Sequence, residues 1–237
     1  KGECSLTLTN RAAAIIPEGG LLPQGTTELS RSSVSTWMHG KAFVTSYQSL
    51  AASQRTGMPL DNRWGVQAAR RVAELIDDTI LLGRAAPAIT GLENATGANT
   101  VAAAQIWSHA SAEVYNDVND AIVELEEDDV PVDNLRLIVP RDVIGLMRRR
   151  NANTDPIIKD QVADLLGGAD RIVPSSRVTQ NQAMLIAANP ENMEIIESVP
   201  VRMTGPIDDP KTKTFYWDVY WIGTFALYHP TALCEIT

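Results

Sequence analysis

The side chains that could carry out chemistry are few and scattered in this chain. The three histidines, His39, His109 and His229, stand apart in sequence, with no second histidine or cysteine beside any of them at the short spacing of a metal site. Asp77 and Asp78 form a carboxylate pair in sequence only, because adjacent residues on a helix point about 100° apart. Solvation or an ion pair is their expected role. No G-x-S-x-G, G-x-x-x-x-G-K-[ST] or strand-borne G-x-G-x-x-G occurs, so neither a nucleophile elbow nor a phosphate-cradling loop is predicted. Gly19-Gly20 and Gly167-Gly168 read as turn glycines. The expectation is a protein without catalytic, cofactor-binding or metal-ligating residues.

Composition narrows the class further. The chain has 237 residues, 44% of them hydrophobic, enough to bury a sizeable core. Its net charge of −9 argues against a nucleic-acid reader, which carries a basic face, and suits a soluble protein or a container wall that should not stick to a polyanion. The longest apolar runs, such as Ala183–Ala188, fall far short of the roughly 20 residues of a membrane span, so no membrane partner is expected. Lys1-Gly2-Glu3-Cys4 carries no apolar stretch of a secretory leader. Two distant cysteines, Cys4 and Cys234, read as free thiols of a reducing compartment, and Asn94-Ala95-Thr96 as a chance glycosylation triplet.

The elements that would position any site come next. Ser5–Ile16 is small and β-branched, and the loop tip Pro17-Glu18-Gly19-Gly20-Leu21-Leu22-Pro23-Gln24-Gly25 follows it. Thr26–Thr45 then returns as a Ser/Thr-rich strand, so a long two-stranded arm is expected. An isolated hairpin is marginal in water, and this one has few apolar residues, so a neighbouring subunit is its natural support. Asp61–Leu82 reads as the strongest helix, with Val66, Ala69, Ala73, Ile76 and Ile80 as its stripe, Val72, Leu75 and Leu82 as a second flank, Asp61 as its cap and Gly83 as its left-handed stop. Arg84–Thr100 reads as loop. Val101–Glu126 reads as a second long helix whose stripe is broken at Asp117.

From Leu135 the pattern becomes α/β. Strands are expected at Leu135–Val139, Arg171–Val173, Ala183–Ala188 and Met193–Glu197. Helices are expected from Pro140 to Arg150 and, behind an Asp155-Pro156 cap, to Leu166. The end is all β: Val201–Thr204, a turn at 206–210, the alternating Phe215–Tyr228, and Thr231–Ile236. One lobe then spans about 101–198, and a second, discontinuous lobe is made from residues before about 100 and after about 200. Two charge features stand out. Arg148-Arg149-Arg150 ends a helix, where cations suit the dipole, whereas Glu126, Glu127, Asp128 and Asp129 oppose the dipole at theirs. The arginines read as a solvated helix end, as contacts to a neighbour's acids, or as weak contacts to packaged DNA.

This order of elements resembles the major capsid proteins of tailed bacteriophages, the Hong Kong 97-like fold shared with encapsulins. Glu18–Pro23 with its Ser/Thr-rich return strand is similar to that family's extended loop. Asp77-Asp78-Thr79-Ile80-Leu81-Leu82-Gly83 is similar to the end of its spine helix, and Gly91-Leu92 to the loop that follows. Leu135–Pro140 and Ile172-Val173-Pro174 resemble lobe strands, and Tyr228-His229-Pro230-Thr231-Ala232 the start of the last strand.

The resemblance implies an α+β capsid fold: an arm and extended loop (1–46), a peripheral lobe with the spine helix (47–100), an α/β axial lobe (101–198), return strands of the peripheral lobe (199–229), and a final strand in the axial lobe (230–237). It implies pentamers and hexamers of the chain itself, closing an icosahedral shell around viral DNA without reading its sequence. Decoration, portal and scaffold proteins would be further partners. The location implied is the virion capsid, assembled in the host cytoplasm. Glu18, Leu21, Leu22, Pro23, Arg31 and Trp37 would be inter-subunit contacts, and Arg148, Arg149 and Arg150 with Glu126 and Glu127 would be charged ones. Two alternatives stay open: an encapsulin-like nanocompartment holding a cargo enzyme, and an α/β enzyme whose site is dispersed in sequence.

In relatives that crosslink covalently, a lysine precedes the proline of the extended loop. Here Leu22 takes that place, and residues 2–40 contain no lysine. Assembled protein boiled in detergent is therefore expected to run as a single monomer band on a denaturing gel; a ladder of multiples would contradict this.

Overall fold

The computed structural model describes residues 2–8, 27–57, 60–86, 88–107, 113–150, 156–178 and 183–237. The chain divides into two units, residues 1–36 and residues 37–237. In the first, β1 (Gly2–Leu8) and β2 (Thr27–Ser33) form an antiparallel ladder from Gly2 opposite Ser33 to Leu8 opposite Thr27.

The second unit opens with β3 (Trp37–Ser46), α1 (Tyr47–Thr56) and α2 (Leu60–Leu82), then β4 (Asn99–Val101), α3 (Val114–Glu127) and β5 (Leu135–Pro140). After these come α4 (Arg141–Met147), α5 (Ile158–Leu166), β6 (Ile172–Ser175) and β7 (Ala183–Ala187). The chain finishes with β8 (Met193–Asp209), β9 (Thr214–Leu227) and β10 (Leu233–Ile236).

These strands build two sheets. The three-stranded sheet has the order β3-β9-β8, antiparallel throughout. The expected hairpin running on to Thr45 is corrected here, because Trp37–Ser46 leaves the arm and pairs with β9 over ten residues. Aromatic alternation on β9 explains the preference. Trp217, Val219 and Trp221 face α2 with Phe43 of β3, and Phe43 stacks on Trp217 at 5.2 Å. A polar arm strand offers no comparable apolar partner.

On α2, Ala68 and Val72 are buried against this aromatic row and Ala69 and Ile76 of the expected stripe pack beside them, whereas Val66 is 71% exposed. The alanines at 68 and 69 leave room for the bulky rings of the sheet, and Val72 and Ile76 fill the space beside them. The helix starts at Leu60, which places Asp61 inside the first turn and not at the cap.

The five-stranded sheet has the order β4-β10-β7-β5-β6 and mixes parallel and antiparallel pairs. Every residue of β7 is buried, because both faces are covered. Ala183, Leu185 and Ala187 pack with α3 and α5 through Val118, Leu125 and Val162. Met184 and Ile186 join Leu81, Leu92 and Phe225 on the opposite side.

Several boundaries move from the sequence expectation. The second long helix begins at Val114, not Val101; residues 99–101 instead pair with β10. Asp117, which had looked like a break in its stripe, is buried and accepts the Trp107 indole N–H at 2.8 Å and the Ala104 N–H at 3.3 Å. That carboxylate anchors the segment before the helix. α4 stops at Met147, and α5 starts at Ile158 behind an extended Ile157, with Asp155 outside the described residues. β8 runs through the expected turn to Asp209, so the turn falls at 210–213.

One corner joins α2 to the rest. Gly83 closes the helix at φ 69°, where an L side chain is strained. A Cβ on Gly91 would sit 2.1 Å from the Gly83 nitrogen. Asn94 then donates to the Leu82 carbonyl, so the asparagine of the glycosylation triplet caps the helix end. The Gly91→Ala change should therefore cost about 3 kcal/mol, read as a lowered urea midpoint. Gly145→Ala in exposed α4, where nothing lies within 4 Å, should gain about 0.5–1 kcal/mol. Equal effects would contradict the close approach at Gly91.

Candidate functional site

Among the described residues, no three His, Cys, Asp or Glu side chains come together as a metal site. None of the helices among them is long and apolar enough to cross a membrane. His39 is buried on the inner face of β3, its Nδ1 3.2 Å from the Trp37 carbonyl and its ring 5.2 Å from Trp221. Burial pushes its pKa down. His229 is an exposed turn residue preceding Pro230, and His109 lies outside the described residues. Asp78 pairs with Arg177 at 2.9 Å, tying α2 to the segment after β6. Burial, reinforced by Asp78, holds the Asp77 carboxyl above its ordinary range despite Arg177. Cys234 is buried in β10, and desolvation pushes its thiol to about 12, far from a reactive thiolate.

What the second unit does present is apolar and aromatic surface. Side chains alternate across a strand, so β3, β9 and β8 have an outer face opposite α2. Met38 and Val44 lie there, 69% and 51% exposed, with Tyr216, Tyr220 and Ile222 on β9 and Arg202 and Ile207 on β8. Arg202 lies over the Tyr220 ring at 4.9 Å and donates to its hydroxyl at 2.6 Å. That fixes two groups of the kind enriched in protein–protein interfaces. A single exposed apolar residue is ordinary, but several on one sheet face, here around the exposed Asp218, mark a candidate interaction surface. The sequence alternation on β9 puts Tyr216 and Tyr220 on the side opposite Trp217 and Trp221, where they are found. The Arg202–Tyr220 pair had no signal in sequence, because three register shifts along β8 set which residue faces which.

The contact residues expected from sequence fall in different places. Glu18, Leu21, Leu22 and Pro23 lie outside the described residues. Arg31 is in β2, opposite Cys4. Trp37 begins β3 and is 41% exposed. Glu126 and Glu127 are exposed at the end of α3, where Asn99 donates to neighbouring Asp128 at 2.8 Å. Arg148, Arg149 and Arg150 are exposed beyond α4. The chain closes there through an Ile158 N–H to Arg149 carbonyl bond of 3.0 Å and an Arg150–Ile157 bridge.

Comparison with known proteins places this architecture. Solved shell structures share it across the whole chain. The capsid of Myoviridae Phage XM1 superposes with a TM-score of 0.71 at 14% identity, covering 100% of this chain and 83% of that one. The capsid of a native GTA particle gives 0.71 at 13%, covering 99% and 84%. The virus-like particle from Pyrococcus furiosus gives 0.63 at 11%, covering 100% and 86%. At such identities the likeness is one of fold. No curated protein sequence matches the chain. Residues 22–200, however, match the sequence profile of Linocin_M18, described as encapsulating protein for peroxidase. With the phage-capsid fold and a profile match over most of its length, this chain belongs to the family of encapsulating proteins for peroxidase.

Proposed function

We propose that this chain is the structural subunit of a closed icosahedral shell, a major capsid protein whose copies form pentamers and hexamers around viral DNA. The observation that carries the reading is whole-chain agreement in fold with phage-capsid and virus-like-particle subunits. The uncovered outer face of the three-stranded sheet supports it, because a closed shell buries such surface symmetrically against further copies. In this reading residues 1–36 supply the arm and extended loop, 37–100 and 199–229 the peripheral lobe, and 101–198 with 230–237 the axial lobe. The hairpin β1–β2 lies on a neighbouring copy, with Glu18–Pro23, Arg31 and Trp37 at the contact. Glu126 and Glu127 face a neighbour's Arg148–Arg150. Portal, scaffold and decoration proteins would complete a virion assembled in host cytoplasm. The protein acts by enclosure and not by catalysis.

A second reading is favoured by one observation, the family match itself: a host nanocompartment that encloses an enzyme. The two share every wall contact and differ in contents. Particles from the native source that contain long DNA support the capsid; particles that copurify a folded enzyme support the nanocompartment.

Expressed alone, the chain is expected to sediment as large uniform particles visible by negative stain. Monomers or small oligomers at every salt concentration would overturn both readings. Removal of residues 1–36 should leave a cooperatively folded subunit that no longer closes into particles, because the deleted ladder belongs to a separate unit. Normal assembly of the truncated chain would refute the role given to the arm.

A further inference from the structure

The two edges of the three-stranded sheet differ. β8 is blunted: its pairing with β9 slips three times, and Pro200 and Pro206 interrupt its line of N–H donors. β3 has none of these devices. Its ten residues pair with β9 without a register shift, contain no proline, and have no partner on their other side among the described residues. A long, regular, unpaired edge is a template for another strand.

Beside that edge runs a cleft of about 620 Å³ between β3 and α2. Phe43 and Ala68 form its floor, and Lys41, Trp64, Gln67, Arg70, Arg71 and Glu74 rise around it. The chain as a whole is acidic, yet this cleft holds three cations and one carboxylate. That carboxylate is already engaged. Glu74 accepts from Arg71 at 2.7 Å and Arg70 at 3.1 Å, and the Arg71 bond first, with Arg70, keeps it below the usual range. Trp64 stands about half exposed at the rim.

We propose that the β3 edge and this cleft form a docking site for an extended, acidic peptide segment of another polypeptide, which adds to the sheet as a fourth strand. Main-chain bonds to β3 supply the alignment, Lys41, Arg70 and Arg71 read alternate carboxylates, and Trp64 covers an apolar side chain between them. A nucleic-acid backbone is the weaker fit. It offers acceptors only, whereas a strand edge presents donors and acceptors in alternation, and Glu74 interrupts the row of positive charge. The site stands whether or not the chain closes into particles, because all its residues belong to one subunit.

The test uses the full chain and a fluorescein-labelled probe of about eight alternating Glu and Val residues, within the length of an ordinary strand. Anisotropy should report saturable binding that weakens with salt and shifts Trp64 emission. Arg70→Ala with Arg71→Ala, and separately Lys41→Ala, should weaken it about tenfold or more, while Glu74→Gln, which releases both arginines, should tighten it. These side chains are exposed, and unchanged circular dichroism will show that each variant folds. N-methylation of alternate probe amides should abolish binding. The proposal is overturned if oligothymidylate of equal charge binds as tightly, if N-methylation has no effect, or if the arginine variants bind the probe like the parent.

Discussion

The whole second unit depends on how β9 is buried. Its first half, Trp217 to Trp221, puts large side chains on one face against the small-residue seam of α2. Its second half, Gly223 to Ala226, is covered on both sides, and Phe225 reaches the core shared with Met184, Ile186 and Leu233 of the five-stranded sheet. A single strand thereby commits two sheets to one arrangement. Close packing makes that junction stiff, since neither tryptophan can shift without opening space against Val72 and Ala68.

The second tie is the corner after α2. Gly83, Gly91 and Asn94 bring the loop backbone against the helix end, and Leu81 and Leu92 enter the core beside β9. Asp78 adds a charged strut to Arg177 on the far side of the same core. A stiff rod about 35 Å long, estimated from its 23 residues, is thus fastened at one end to the mixed sheet and along its flank to the aromatic row. Such a frame suits a wall element. Among the described residues it brings no three His, Cys, Asp or Glu side chains together as a metal site.

The surfaces left over follow from that frame. The face of the three-stranded sheet turned away from α2 carries Met38, Val44 and the Arg202–Tyr220 pair at the surface of the second unit. That the edge of β3 has no partner among the described residues is a consequence of sheet order, with β9 central and β8 bulged on the opposite side. Acidic residues at the end of α3 and basic ones beyond α4 are likewise exposed charges with local backbone partners.

Much of this was legible from residues alone. The long α2 with its glycine stop, the strand at Ala183–Ala187 and the alternation on β9 all have local causes in periodicity and in a helix end that glycine suits. The family resemblance was legible for the same reason, because it rests on the order of such elements. Tertiary structure decided the rest. Whether Trp37–Ser46 continued the arm or joined β9 turned on a partner almost two hundred residues away. That Ala68 and Val72 lie deepest against the rings while Val66 stays exposed followed from where the sheet packs on the helix. Asp117 looked like a flaw in a stripe until Trp107 was seen to donate to it. The Arg202–Tyr220 pair and the β3 cleft depend on register and sheet order, which arise only when distant segments pack, so no local pattern encodes them.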